Sequence, residues 1–166
     1  MFAFIIHDKK NNRIYIARDH FGIKPLYWYH DENLILFGSE IKAILKHPMI
    51  TATPEISHLY EYLTFQFILG EGTMFRNIYK VQTGHYITLD LNSWKLNSVK
   101  YWEPDFETDL FHTEKYYLSE LQKILGDTIR QQMRSDVTIG TYLSGGMDSS
   151  LVTIMSSVLS EKPLKS

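Results

Sequence analysis

The chain has 166 residues, enough for one ordinary domain with a sizeable core and too few for two complete enzyme domains. Its 44% hydrophobic and 22% charged residues exclude a disordered tail, and a net charge of -2 with scattered Lys and Arg gives no footprint for nucleic acid or an anionic membrane. Cysteine is absent, which excludes disulfides, thiolate metal sites and a cysteine nucleophile among these residues. The apolar runs are short pieces such as Phe2 to Ile6, far below the roughly 18 residues of a membrane span. Without a basic stretch before that run, no secretory signal is read, and a cytoplasmic location is the expectation.

In chain order, Phe2 to Ile6 and Arg13 to Ala17 form a first expected hairpin around the polar residues 8–12. A second runs from Pro25–Tyr29 through residues 30–33 into Leu34–Phe37, giving four antiparallel strands. Ser39 is the expected N-cap of a short helix that Pro48 ends, with Ile41, Ile44 and Leu45 as its apolar stripe. Pro54 is then expected at the first position of a second helix, which ends by Gly70 and carries Ile56, Leu59, Tyr60 and Leu63 on one face.

Val81 to Leu91 reads as a strand interrupted at Gly84, and the polar stretch 103–112 as a linker between residues 1–102 and 113–166. From Thr113 to Arg134, apolar residues at helical spacing, among them Tyr117, Leu121, Ile124 and Ile129, predict a long amphipathic helix that packs on a sheet. Ile139 to Leu143 follows as a short buried strand, and Leu151 to Met155 as an apolar helix start. The fold class is therefore expected to be α+β, followed by α/β.

Between that strand and helix lies Leu143-Ser144-Gly145-Gly146-Met147-Asp148-Ser149-Ser150. A phosphate loop needs small residues for close backbone approach, converging N–H groups and a helix N-terminus. Gly145 and Gly146 supply the approach, Ser144, Ser149 and Ser150 the hydroxyls, and Asp148 a carboxylate able to hold Mg²⁺ or cap the helix. No lysine follows the glycines, so this is not the loop of kinase-like γ-phosphate transfer.

The run resembles the Ser-Gly-Gly-x-Asp-Ser signature of ATP pyrophosphatases, in which a carboxylate attacks the α-phosphate and pyrophosphate leaves. With the preceding Ser135 to Leu143 it resembles the start of the synthetase domain of glutamine-dependent asparagine synthetases, although Thr138 stands where that family often has proline. Met1-Phe2-Ala3-Phe4, Arg18 to Tyr27, Gly38 to Ala43 and Gly84-His85-Tyr86 resemble the same family's glutaminase domain, so the likeness covers nearly the whole chain.

The resemblance implies, for residues 1–102, the later half of an N-terminal-nucleophile glutaminase αββα sandwich. For residues 113–166 it implies the first helix-strand-loop-helix of a Rossmann-like ATP-pyrophosphatase domain. ATP, Mg²⁺, aspartate and glutamine are the implied small molecules; a homodimer is expected from exposed sheet edges, and neither nucleic acid nor a membrane is an expected partner. Lys162 to Lys165 resembles the approach to the synthetase domain's second strand. The chain thus reads as an internal fragment with no catalytic residue of its own, not expected to turn over glutamine alone. A related amidotransferase or cyclising synthetase using another carboxylate, and a non-catalytic remnant, remain the alternatives.

Two other features favour structure over chemistry. Arg18 and Asp19, before Gly22 and Pro25, read as a charged pair closing a strand, and Tyr27-Trp28-Tyr29 as strand packing rather than a stacking platform. The seven histidines lack the three- or four-residue spacing of helical zinc ligands.

Overall fold

Short runs rich in β-branched and aromatic residues, parted by polar turns, form two antiparallel sheets in the first hundred residues. The structure, a computed structural model, describes residues 1–160 and 163–166; the strand approach expected at Lys162 thus begins outside the described residues. The chain divides into two compact units, Met1–Asp105 and Phe106–Ser166. With mixed helices and antiparallel sheets the fold is α+β.

In the first unit β1 (Ala3–Asp8) and β2 (Arg13–Arg18) pair as a hairpin, with Ile5 opposite Ile16. The strands β3 (Tyr27–His30) and β4 (Ile35–Gly38) form the second hairpin. Helices α1 (Ile41–Leu45) and α2 (Ile56–Phe65) follow, then β5 (Ile78–Lys80), β6 (His85–Asp90) and β7 (Lys95–Lys100). One sheet has the order β1-β2-β6-β7 and the other β4-β3-β5, so the two hairpins lie in different sheets.

The sheets share one core. Ile16 and Ile87 come from the first sheet, Trp28 and Phe37 from the second, and Leu26 and Val81 from the segments beside it. Helix α1 packs on the opposite face of the second sheet, where Gly38, alternating with Phe37, lies against Ala43 and Ile44. The outer face of the first sheet carries an apolar concavity of about 400 Å³, lined by Phe2, Phe4, Ile6, Tyr15 and Tyr86 among others.

Several expectations are corrected. Helix α1 starts after Glu40 rather than Ser39, with no side-chain cap. Pro54 lies outside α2 in an isolated bridge to Phe75, because the chain stays extended through Glu55. Helix α2 ends at Phe65, ahead of Gly70 as expected, where Gln66 turns left-handed at φ 63°; none of its apolar residues is buried. Val81 follows β5 rather than opening β6. Gly84, at φ 65°, makes the turn between them, and a Cβ there would collide with the Trp102 carbonyl.

In the second unit α3 (Glu114–Gln132) starts at Thr113, whose hydroxyl accepts the Tyr116 N–H at 3.4 Å. Acidic Glu114 in the first turn and Arg130 in the last suit the helix dipole. Within its own unit α3 meets no sheet among the described residues; it contacts α4 (Met147–Leu159), buries Ile129 and leaves Leu118, Leu121 and Ile124 exposed. The buried strand expected at Ile139–Leu143 is reduced to a parallel bridge between Gly140 and Lys165, supported by the Thr141 N–H on the Lys165 carbonyl at 2.8 Å. A parallel strand is stabilised by neighbours on both sides and both faces, and here Tyr142 is 100% and Leu143 53% exposed.

Candidate functional site

The loop from Leu143 to Ser150 turns an extended entry directly into α4. Gly145 takes φ 83°, a region that side chains resist, and Gly146 becomes the N-cap at φ -77°. No side chain caps α4. The first N–H groups of a helix have no intrahelical acceptor, so the opening turn from Met147 to Ser149 presents donors and the positive end of the dipole. Nothing lies within 4 Å of a Cβ placed on Gly145, and one on Gly146 would make only ordinary contacts, with the Ser144 hydroxyl at 3.5 Å. The backbone is therefore open to a ligand from that side.

The hydroxyls are engaged within the loop. Those of Ser149 and Ser150 donate to the Gly146 carbonyl at 3.1 and 2.8 Å, and Ser144 Oγ lies 2.9 Å from Ser149 Oγ. They brace the turn together with the Ser144 and Gly146 N–H groups, which donate to Ser149 Oγ at 3.3 Å and Ser144 Oγ at 3.5 Å, and the N–H groups of Met147 to Ser149 are left without an intrahelical acceptor. Asp148 is exposed in the first turn of α4 and does not act as the cap. Among the described residues no group of three or more His, Asp or Glu is arranged to hold a metal ion. Asp148 alone therefore fits only an ion held chiefly by the oxygens of a bound polyphosphate, the usual manner of Mg²⁺. Sequence reasoning missed the buried hydroxyls of Thr141 and Thr153, which have no hydrogen-bond partner in the described structure. Nothing in their spacing, one before the loop and one within α4, announced this.

Arg18 and Asp19 are held in structural work. Asp19 is 2% exposed, and its carboxylate accepts N–H bonds from Lys24, Ile23, Phe2 and Phe21 at 2.9 to 3.2 Å. Burial pushes its pKa up, but these donors outweigh it and hold the carboxyl at about 2. The Arg18 guanidinium donates to the carbonyls of Lys24, Val81 and Gly22 at 3.0, 2.9 and 2.7 Å. With its donors spent on backbone, this pair fixes the corner that leads into β3. Trp28 packs against Tyr79 at a centroid distance of 5.3 Å, as expected of strand packing.

Comparison with known proteins divides the chain in a similar place. Residues 1–102 match the family described as Glutamine amidotransferase domain, and residues 120–166 the one described as Asparagine synthase. The chain is similar to the Putative asparagine synthetase [glutamine-hydrolyzing] 2 of Methanocaldococcus jannaschii, 36% identical over 155 residues, covering 92% of this chain and 30% of that protein. It is similar to Asparagine synthetase [glutamine-hydrolyzing] 3 of Bacillus subtilis, 34% identical, covering 98% of this chain and 26% of the relative. It is also similar to Amidase chry2 of Gibberella zeae, 32% identical, covering 99% of this chain and 24% of the relative. The chain therefore spans less than a third of the length of these relatives.

Proposed function

The chain belongs to the glutamine amidotransferase domain family, and from that membership we propose that it serves within a glutamine-hydrolysing asparagine synthetase. In this reading residues 1–102 are the later half of the glutaminase αββα sandwich, 103–112 the linker, and 113–166 the opening of a Rossmann-like ATP-pyrophosphatase domain. ATP activates the aspartate side-chain carboxylate, pyrophosphate leaves, and ammonia from glutamine displaces AMP to form the amide.

The observation that carries the reading is the uncapped start of α4 behind Gly145 and Gly146. Backbone N–H groups of Gly145 and of Met147 to Ser149 bind the β- and γ-phosphates and stabilise the charge that develops on the leaving pyrophosphate. Leu143, Ser144, Ser149 and Ser150 belong to the same ATP- and pyrophosphate-binding loop, and the three serine hydroxyls hold it in shape. Mg²⁺, when bound, neutralises the polyphosphate, with Asp148 contributing one carboxylate. No residue of this chain is assigned as nucleophile, since cysteine is absent. Residues 1–166 alone neither hydrolyse glutamine nor form asparagine. The work is that of a biosynthetic enzyme of the cytoplasm, with small-molecule substrates and no nucleic acid. Among the described residues no helix is long and apolar enough to cross a membrane.

A second reading has its own support: the loop recognises phosphate and not the acid, and a relative of comparable identity is named as an amidase. Another carboxylate would then replace aspartate. ATP–pyrophosphate exchange by a full-length protein containing this chain, measured against a panel of carboxylates, separates the two. Exchange that depends on aspartate supports the first reading, and exchange with another acid but not aspartate overturns it.

A further inference from the structure

The Gly146 carbonyl carries an unusual load for the start of a helix. It accepts the Ser150 N–H at 3.1 Å, the first rung of α4, and also the hydroxyls of Ser149 and Ser150 at 3.1 and 2.8 Å. Serine and threonine in helices often bend back onto a carbonyl three or four residues earlier. The ordinary form is seen on α2, where Thr64 donates to Tyr60, and on α3, where Ser119 donates to Tyr116, each at 2.9 Å. There a single hydroxyl meets the carbonyl, and the peptide unit at Tyr116 has its N–H, that of Tyr117, already bonded to the Thr113 carbonyl at 3.2 Å. At Gly146 two hydroxyls converge with the backbone donor, and the N–H of the same peptide unit, that of Met147, has no intrahelical acceptor.

Each serine hydroxyl has one proton to give. Ser149 gives its own to the Gly146 carbonyl, so in the 2.9 Å contact between Ser144 and Ser149 the donor is Ser144. The bonds therefore run in one direction, from Ser144 through Ser149 to the Gly146 carbonyl, and each polarises the next. Ser149 is the third residue of α4, a position whose side chain in a capping box reaches back to the N-cap N–H; here it takes the N-cap carbonyl instead. A trans peptide points its C=O and N–H in opposite directions, so fixing the carbonyl aims the Met147 N–H. Donors gathered on the carbonyl also draw electron density toward it and make that N–H a stronger donor.

We propose that Ser149 and Ser150 are positioning residues, which act through the Gly146–Met147 peptide to aim and strengthen the Met147 N–H as a donor to phosphate. This rests on the phosphate reading of the loop given above and assigns its serines a role within it. Both hydroxyl protons are spent on the carbonyl, so the anion meets backbone N–H groups and not these side chains. The arrangement is set before a ligand arrives, and binding then costs no reorientation of the peptide.

Ser149→Ala, Ser150→Ala and the double variant test this in the ¹⁵N-labelled chain, by the Met147 amide proton shift before any ligand is added and by titration with pyrophosphate and Mg²⁺. The Met147 amide proton should move upfield in each variant and furthest in the double one. Pyrophosphate binding should weaken about threefold in the single variants and about tenfold in the double variant. Ser149→Thr keeps a hydroxyl and should retain both the shift and the affinity, whereas Ser119→Ala, which removes an ordinary back-bond from α3, should change neither. Unchanged amide shifts over residues 151–159 show that α4 has kept its fold; if the double variant loses it, the single variants decide by the same readouts. Equal binding by the alanine variants, an unmoved Met147 amide, or a loss that Ser149→Thr shares overturns the proposal and leaves the phosphate reading standing. Absence of pyrophosphate binding by the parent chain overturns both.

Discussion

The corner at Asp19 and the loop at Ser144 are both tight glycine turns carrying a carboxylate, and they use their backbone in opposite ways. At the corner a buried carboxylate collects the N–H groups of Phe2, Phe21, Ile23 and Lys24, so the turn is closed by its own side chain. At the loop Asp148 stays in solvent and the helix start is left without a cap. Unsatisfied polar groups destabilise when buried and do so far less at the surface, where they remain available. The corner stabilises the fold, and the loop leaves helix-start donors available to the phosphate proposed above.

The largest expected effect is on the closed turn. Asp19→Ala leaves several buried N–H groups without acceptors and should destabilise the first unit by about 3 kcal/mol. All three tryptophans, Trp28, Trp94 and Trp102, lie in that unit, so urea unfolding followed by their fluorescence reports it directly. An unchanged midpoint would remove the distinction between the two turns. Next comes Gly84→Ala, which combines a left-handed φ with collision against the Trp102 carbonyl and should cost about 1–3 kcal/mol by the same assay.

Acid sharpens the contrast. The Asp19 carboxyl titrates at about 2 when folded, against an ordinary value of 3.8. Its stabilising contribution is complete above the ordinary value and is lost as pH falls through about 2. Asp19→Asn should flatten the pH dependence of unfolding across that window, and a steep profile in the variant would assign the effect to other groups.

Smaller effects belong to the second unit. Thr113→Ala removes the cap of α3, whose hydrogen bond is long at 3.4 Å, and should reduce helix stability by about 1 kcal/mol or less, read by circular dichroism on heating. Gly146→Ala should alter stability by less than about 0.5 kcal/mol, because its φ is ordinary and its Cβ position is open. A larger loss would mean that Gly146 serves the fold rather than a ligand.

How far the sequence discloses this arrangement depends on where the stabilising partner lies. The hairpin of β1 and β2 is legible because two runs rich in β-branched and aromatic residues flank the polar residues 8–12. Strand β7 escapes notice because Lys-Leu-Asn-Ser-Val-Lys carries little aromatic or β-branched content; it is a strand through its pairing with β6. Strand β5 also goes unread, since nothing local says that Ile78 to Lys80 pairs with β3 while β6 joins the other sheet. The helix at Glu114 is announced by its period, yet periodicity names an apolar face without saying what covers it. Within the loop, the glycine pair and the helix start are readable, whereas the inward pairing of the serine hydroxyls required coordinates.

The open helix start behind Gly145 and Gly146 is proposed to bind phosphate. Titrating pyrophosphate with Mg²⁺ into the ¹⁵N-labelled chain, beside Gly146→Val, tests it most directly. Amide shifts confined to Gly145 through Ser150 are expected, saturable in the chain and lost in a variant whose remaining spectrum is unchanged. Equal binding by the valine variant, or shifts centred away from this loop, would contradict the account.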